Sequence, residues 1–204
     1  MDALTQPSPI LLQAILDDSA ARHKHLCPRQ VLGARLGLAG LLALGLPNVY
    51  DERFDNGRKH LLTIVETDGC AADGVSAATD CFVGRRTMRV LDFGKVAATL
   101  VDTRTGTAVR VSPQLETRAA ARRYAPMARS RWHSYLEAYQ IMPDAELLRV
   151  QPVELTQTLA QIISRPNLRV ACAVCGEEII NEREVAVDGR FLCRSCAGDG
   201  YYQV

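Results

Sequence analysis

The spacing of apolar residues changes several times along the chain, and each change marks an element. From Ser8 onward, Ile10, Leu11, Ala14 and Ile15 recur at helical spacing. Ser8 is placed to cap and Pro9 stands at the first helical position, which predicts an amphipathic helix to about Arg22. A second helix opens at Pro28, runs to about Leu44 and stops at Gly45. Its most apolar part, residues 31–46, contains Arg35 and is shorter than the roughly 20 residues a membrane span requires, so it reads as a buried helix. Gly33, Gly37 and Gly40 lie three or four apart on one face of it. Each glycine costs a helix about 1 kcal/mol, so this recurrence predicts close approach to another backbone, in a sheet or a partner subunit.

Residues 61–66 form a short β-branched run that reads as a buried strand, and Thr67-Asp68-Gly69 then turns the chain into a helix over 70–79. Further strands are predicted over 89–91, 96–102 and 107–111, with Thr103 to Gly106 supplying a hairpin turn, so the sheet is at least partly antiparallel. Residues 115–140 read as a long helical stretch broken or kinked at Pro126. A last strand over 147–155 and a helical connector reaching Pro166 complete the main domain. This mixed order indicates the α+β class.

A length of 204 residues accommodates one domain of about 150 residues and a small appended module, here drawn as 1–166 and 167–204. The formal net charge of +1 provides no global attraction to nucleic acid or to an anionic membrane, which argues against a nucleic-acid or membrane partner. The first 24 residues lack the basic start, apolar run and cleavage site of a secretory signal, so a cytoplasmic protein is expected. In that reducing compartment, paired cysteines hold metal or do redox work more readily than they form permanent disulfides.

Four of the seven cysteines fall in two CxxC pairs, Cys172 with Cys175 and Cys193 with Cys196, separated by 17 residues. Four soft thiolates at this spacing match the tetrahedral preference of zinc, and a module of this size cannot bury a sufficient core without a staple, so a structural zinc is expected. A hairpin joining 178–187 to 190–192 across Asp188-Gly189 would separate the two half-sites.

The second constellation is His23-x-His25-x-Cys27-Pro28. In an extended segment alternate side chains point to one side, so His23, His25 and Cys27 would converge on one ion. Cys27 starts the second helix and Cys70 starts the third, and a helix N-terminus lowers the pKa of a thiol placed there. Two such cysteines and two histidines suit a transition metal; the alternative is a surface turn beside an unrelated buried cysteine. Cys81 lies at the far end of the third helix, about 15 Å from Cys70, and reads as a small buried hydrophobe.

At these residues the chain resembles the FmdE family of formylmethanofuran dehydrogenase proteins. The matching blocks are HKHLCPRQVLGARLG at 23–37, the run from VETDGCAADG to VAATLVD at 65–102, and CAVCGEEIINEREVAVDGRFLCRSCAGDGYY at 172–202. The resemblance implies a thioredoxin-like α+β core with a mixed β-sheet flanked by helices, a C-terminal treble-clef zinc finger and an intertwined homodimer. It further implies a metal active site drawn from His23, His25, Cys27 and Cys70, with Cys81 as a further candidate, holding zinc or iron, with His25, Cys27 and Cys70 doing the chemistry; Lys95 of the matching Asp92-Phe-Gly-Lys95 element either contacts a ligand or is exposed on a structural turn of Asp92 and Gly94. Two departures from the family pattern stand out: Lys24 and Arg29 replace the glycines of the HGHxCPG motif, and Asp80 replaces the glycine before the second core cysteine.

Three functions follow as expectations. The first is a metal-binding protein of molybdenum- or tungsten-dependent one-carbon or formate metabolism, as the family name implies, with Asp73 or Glu66 as proton acceptor. The second is a chaperone passing a metal, sulfur or cofactor to an oxidoreductase client of that class. The third is an interaction module using the arginines at 118–131, disfavoured by the acidic residues of the finger.

Overall fold

The computed structural model describes residues 6–202. Contacts divide the chain into two compact units, Met1–Thr156 and Gln157–Val204. The first unit runs α1 (Pro9–His23), α2 (Pro28–Ala43), β1 (Leu61–Val65), α3 (Cys70–Thr79), β2 (Met88–Val90), β3 (Ala98–Asp102), β4 (Ala108–Pro113), α4 (Thr117–Tyr124), α5 (Arg131–Ile141), α6 (Asp144–Leu147) and β5 (Leu148–Val153). The stretch around Pro126 is thus two helices, because proline can neither donate to the ladder nor clear the preceding turn.

The five strands lie in the order β2-β1-β3-β4-β5, with β1 and β2 parallel and the other pairs antiparallel. Helix α3 makes the crossover between the two parallel strands, which gives the core its thioredoxin-like arrangement of a mixed sheet flanked by helices. One face of the sheet offers Leu61, Val65, Leu100, Val109 and Val111 to a common apolar core with the helices. Helix α2 is buried along nearly its whole length and packs against α1, α3, α5 and strands β3 to β5, as a helix apolar on all sides must.

The glycines of α2 meet α3 and the sheet. A β-carbon at Gly33 would overlap the Ala71 carbonyl oxygen and lie 2.9 Å from its carbon, and one at Gly37 would lie 2.8 Å from the Ala78 β-carbon. From the other side, a β-carbon at Gly74 of α3 would overlap the Gln30 carbonyl oxygen and lie 2.7 Å from the Ala34 nitrogen. Gly40 gives its space to Leu100 of β3. Backbone therefore lies directly on backbone where α2 and α3 begin.

Arg35, fully buried on α2, fixes the helix against the α5–α6 corner. Its guanidinium donates to the Tyr139 carbonyl at 2.8 Å, the Met142 carbonyl at 2.7 Å and the Asp144 carboxylate at 2.6 Å. The Tyr50 hydroxyl donates to the same carboxylate, and burial together with the Asp144 charge pushes that phenol far above its ordinary range.

In the second unit α7 (Leu159–Ile163) precedes β6 (Arg169–Ala171), β7 (Glu178–Ile180), β8 (Val185–Val187) and β9 (Arg190–Leu192), and a single helical turn follows at Ser195–Asp199. The hairpin expected over 178–192 is only half present. Strand β8 pairs β9 across Asp188 and Gly189, both at positive φ, but β7 pairs back onto β6. The break falls at Asn181 and Glu182, whose left-handed backbone ends the strand.

Two substitutions test this packing. Gly33→Ala should cost ~3 kcal/mol or more in denaturant unfolding because backbone cannot yield to a β-carbon, whereas Gly84→Ala, with open space around it, should stay within ~0.5 kcal/mol. Arg35→Met should cost about 3–5 kcal/mol by leaving the Asp144 carboxylate buried without its cation, and the double variant Arg35→Met/Asp144→Leu should recover part of that loss.

Candidate metal centres

The thiols of Cys172, Cys175, Cys193 and Cys196 form a group in which every donor atom lies within 4.8 Å of the others. Local hydrogen bonds build it. The Cys172 amide donates to the Glu177 carbonyl and the Gly176 amide to the Cys172 carbonyl, closing a knuckle around the first pair. The Cys193 amide donates to Cys172 Sγ at 3.3 Å, and the Cys196 amide to Cys193 Sγ at 3.4 Å. Backbone donors, that of Cys175 foremost and then those of Cys193 and Val174, hold the Cys172 thiol down to about 6. Cys196 is pushed up to about 12, chiefly by its hydrogen bond with Cys193. Four adjacent thiolates cannot coexist without a cation among them, so this donor set suits zinc.

Residues 166–202 match the family model described as the prokaryotic dksA/traR C4-type zinc finger. The second unit is thus a small zinc finger, ordered as knuckle, hairpin and helical turn. Its apolar cluster consists of Cys172, Ile179 and Leu192 with a few partly buried neighbours, too little to hold 48 residues unaided. Chelation or Cys196→Ser should therefore remove one zinc per chain and expose the segment after Gln157 to protease, while the band for the first unit persists.

The first unit holds a looser group at the converging starts of α2 and α3. His23 ends α1, where Lys24 takes a left-handed conformation at φ 66°, and Cys27 caps α2. The extended run expected over 23–27 is therefore absent: His23 belongs to a helix, and the turn at Lys24 redirects the chain. The four side chains do not converge on one point but meet in pairs: among the described residues, the finger thiols are the one group of three or more donors that all lie within 4.8 Å of one another. The rings of His23 and His25 lie 4.7 Å apart, His23 Nε2 is 3.3 Å from Cys70 Sγ, and Cys27 is near enough to Cys70 to raise its pKa. Cys27 is held by its neighbours, since its amide donates to Gln30 Oε1 at 2.8 Å and the Gln30 amide group donates to Ser19 at 3.0 Å.

The helix N-terminus does not activate Cys70. Burial, followed by the hydrogen bond and charge of Cys27, pushes its thiol above the ordinary range and outweighs the opposing charge of Arg29. Of the two carboxylates considered as proton acceptors, Glu66 is occupied: Arg110 donates to both its oxygens, at 2.6 and 2.8 Å. Asp73 does join the group, with its Oδ2 2.9 Å from His23 Nδ1. Its place was legible in the sequence, because residues three apart on a helix share a face and Cys70 is three residues before it. Lys95 is exposed on a turn closed by the Gly94 amide and the Asp92 carboxylate, and its own amide donates to the Glu66 carbonyl at 3.1 Å.

Two of the three positions where this chain lacks a family glycine are ones that glycine would fill with least strain, whereas Arg29 lies within α2. Lys24 and Asp80 both sit at positive φ, where glycine is least strained. Asp80 offsets the strain by accepting from the Asn56 amide at 3.0 Å and from Arg85 at 2.8 Å. Cys81 beside it is fully buried against Asn56, and burial pushes its thiol up, as suits an inert core residue.

Comparison with known proteins agrees with this architecture. The chain is 29% identical over 205 residues to a probable S-adenosyl-L-methionine-binding protein of Archaeoglobus fulgidus, covering 89% of this chain and 52% of that protein; it thus spans about half the length of that relative. Its fold matches the crystal structure of a tungsten formylmethanofuran dehydrogenase FmdE-like protein from Syntrophus aciditrophicus, with a TM-score of 0.60 and 21% identity over 98% of this chain and 100% of that one. Residues 22–149, more than half of the chain, match the family model described as FmdE, molybdenum formylmethanofuran dehydrogenase operon. On that match the chain belongs to the FmdE family.

Proposed function

We propose that this chain is a metal-binding protein of molybdenum- or tungsten-dependent one-carbon metabolism, cytoplasmic and homodimeric, with a second divalent ion, zinc or iron, held in its core by donors among His23, His25, Cys27 and Cys70. The observation that carries the reading is the 3.3 Å between His23 Nε2 and Cys70 Sγ. Two ligands of one tetrahedral zinc, at about 2.0 and 2.3 Å from the ion, stand roughly 3.5 Å apart, so these donors need hardly move to share one. Thiolate and imidazole are the ligand types that zinc and iron take.

Bound there, the ion would supply Lewis acidity towards a carbonyl or a water. The protein's part is to orient the donors and set their surroundings. Gln30 holds the start of α2, the α2–α3 contact places Cys27 beside Cys70, and Arg29 adds positive charge at the mouth. His25 and Lys24 are exposed there, so a ligand can reach the group from solvent. Among the described residues no helix is long and apolar enough to cross a membrane.

The exposed mouth equally suits a delivery chaperone, which would pass a metal, sulfur or cofactor to an oxidoreductase client. Turnover of a small substrate supports the enzymatic form. Stoichiometric binding and co-purification with a molybdenum or tungsten enzyme support the chaperone. S-adenosyl-L-methionine belongs in the same binding assays because the Archaeoglobus fulgidus relative is named for it.

Metal analysis of anaerobically purified protein tests the core site. Wild type should carry two ions per chain, and Cys27→Ser and Cys172→Ser should each carry one fewer. One ion per chain in wild type, with the content of Cys27→Ser unchanged, would overturn the proposal.

A further inference from the structure

We propose that Asp73 is a positioning residue that fixes the tautomer of His23, keeping the hydrogen on Nδ1 so that the Nε2 lone pair faces Cys70, and that this makes His23 rather than His25 the imidazole ligand of the core. The inference rests on the metal reading given above for the identity of the ligand, and on geometry alone for the tautomer.

A neutral imidazole has one donor nitrogen and one acceptor nitrogen, and a carboxylate can only accept. The hydrogen bond of 2.9 Å between His23 Nδ1 and Asp73 Oδ2 therefore requires the hydrogen on Nδ1. Nε2 is left with its lone pair, 3.3 Å from Cys70 Sγ. An imidazole free in water favours the opposite tautomer, which would aim a hydrogen at the ion's position. Histidines that bind metals commonly donate their other nitrogen to a carboxylate, which sets ring orientation and raises ligand basicity.

The placement is specific. Asp73 and Cys70 share one face of α3, and His23 reaches them from the last residue of α1, which packs on α3. Asp73 thus holds the one histidine that already touches Cys70. His25, 4.7 Å away ring to ring, is exposed and has no carboxylate partner among the described residues. An acidic residue in the first turn of a helix also interacts favourably with the helix dipole. That role alone would affect the stability of α3 and leave the His23 tautomer unchanged.

The test uses the full chain carrying zinc in its finger, with nitrogen-15-labelled histidine. The two ring-nitrogen shifts of His23 give its tautomer at a pH where the ring is neutral. Cobalt(II) titration, read through thiolate-to-cobalt charge transfer, then gives affinity at the core. Wild type should show hydrogen on Nδ1. Asp73→Ala should move His23 towards the Nε2–H form and weaken cobalt binding about 10- to 100-fold. Asp73→Glu should restore both in part, and His25→Ala should leave the His23 tautomer in place and weaken cobalt binding less than His23→Ala does. An unchanged tautomer in Asp73→Ala, with or without weaker cobalt binding, would overturn the positioning role. A loss of cobalt binding in His25→Ala as large as that in His23→Ala would overturn the choice of His23. If wild type takes up no cobalt beyond the finger, the core-metal reading fails by itself, and the tautomer comparison still decides whether Asp73 orients His23.

Discussion

Where α2 and α3 begin, no atom fits between their backbones, and the rest of the core unit is arranged around that contact. Gly33 lies on the Ala71 carbonyl and Gly74 on the Gln30 carbonyl, so the backbone of each helix fills the space of a β-carbon missing from the other. Larger residues would hold the axes at the roughly 8–10 Å typical of helix pairs, and Cys27 and Cys70 would stand apart. With the backbones in contact, Cys27 at the cap of α2 comes near enough to Cys70, the first residue of α3, to push its thiol up. The intrinsic helix cost of several glycines is thereby offset by packing and by the assembly of a side-chain group that neither helix holds alone.

Such a contact constrains one end of α2 only, and a second device fixes the other. Arg35 is wholly buried and hydrogen-bonded to two carbonyls and a carboxylate at the α5–α6 corner, so α2 can neither rotate nor slide without exposing a charge to an apolar core. At the start of the helix Gln30 ties Ser19 of α1 to the cap at Cys27. Three elements are then registered with one another, and His23 at the end of α1 comes within reach of Cys70 and Asp73. The site is held by packing and polar anchors in helices, which favours reproducible geometry over adaptability.

The two cysteine groups differ in how they are built. In the finger, two short knuckles bring four thiols within 4.8 Å, mostly through hydrogen bonds spanning few residues, and the module lacks apolar bulk. Its metal and its fold are therefore one thermodynamic unit. In the core, the sheet and helices supply a continuous apolar cluster without help from an ion. A core ion would thus be free to exchange or react without unfolding the unit, whereas the finger ion would not. The backbone at Lys24 and Asp80 carries a further sign of constraint, since both residues accept a left-handed conformation that glycine would adopt at lower cost.

What the amino-acid sequence determined by itself was everything set by neighbours a few residues apart. Proline and glycine punctuation placed α1, α2 and α3 within a residue or so, because caps and breakers act on the adjacent turn. The CxxC spacing identified the finger for the same reason. Local signals misjudged residues 23–27, read as extended although His23 completes a helix, and 178–187, where two left-handed residues redirect a strand to another partner. Only the tertiary structure decided the sheet order, the pairing of Glu66 with Arg110, and the meeting of His23 with Cys70 and Asp73 across 47 and 50 residues. Distances of that kind depend on how closely two helices pack, and this closeness is a property of the assembled core: the glycines permit it, but only the docking of α2 against α3, α5 and the sheet brings it about.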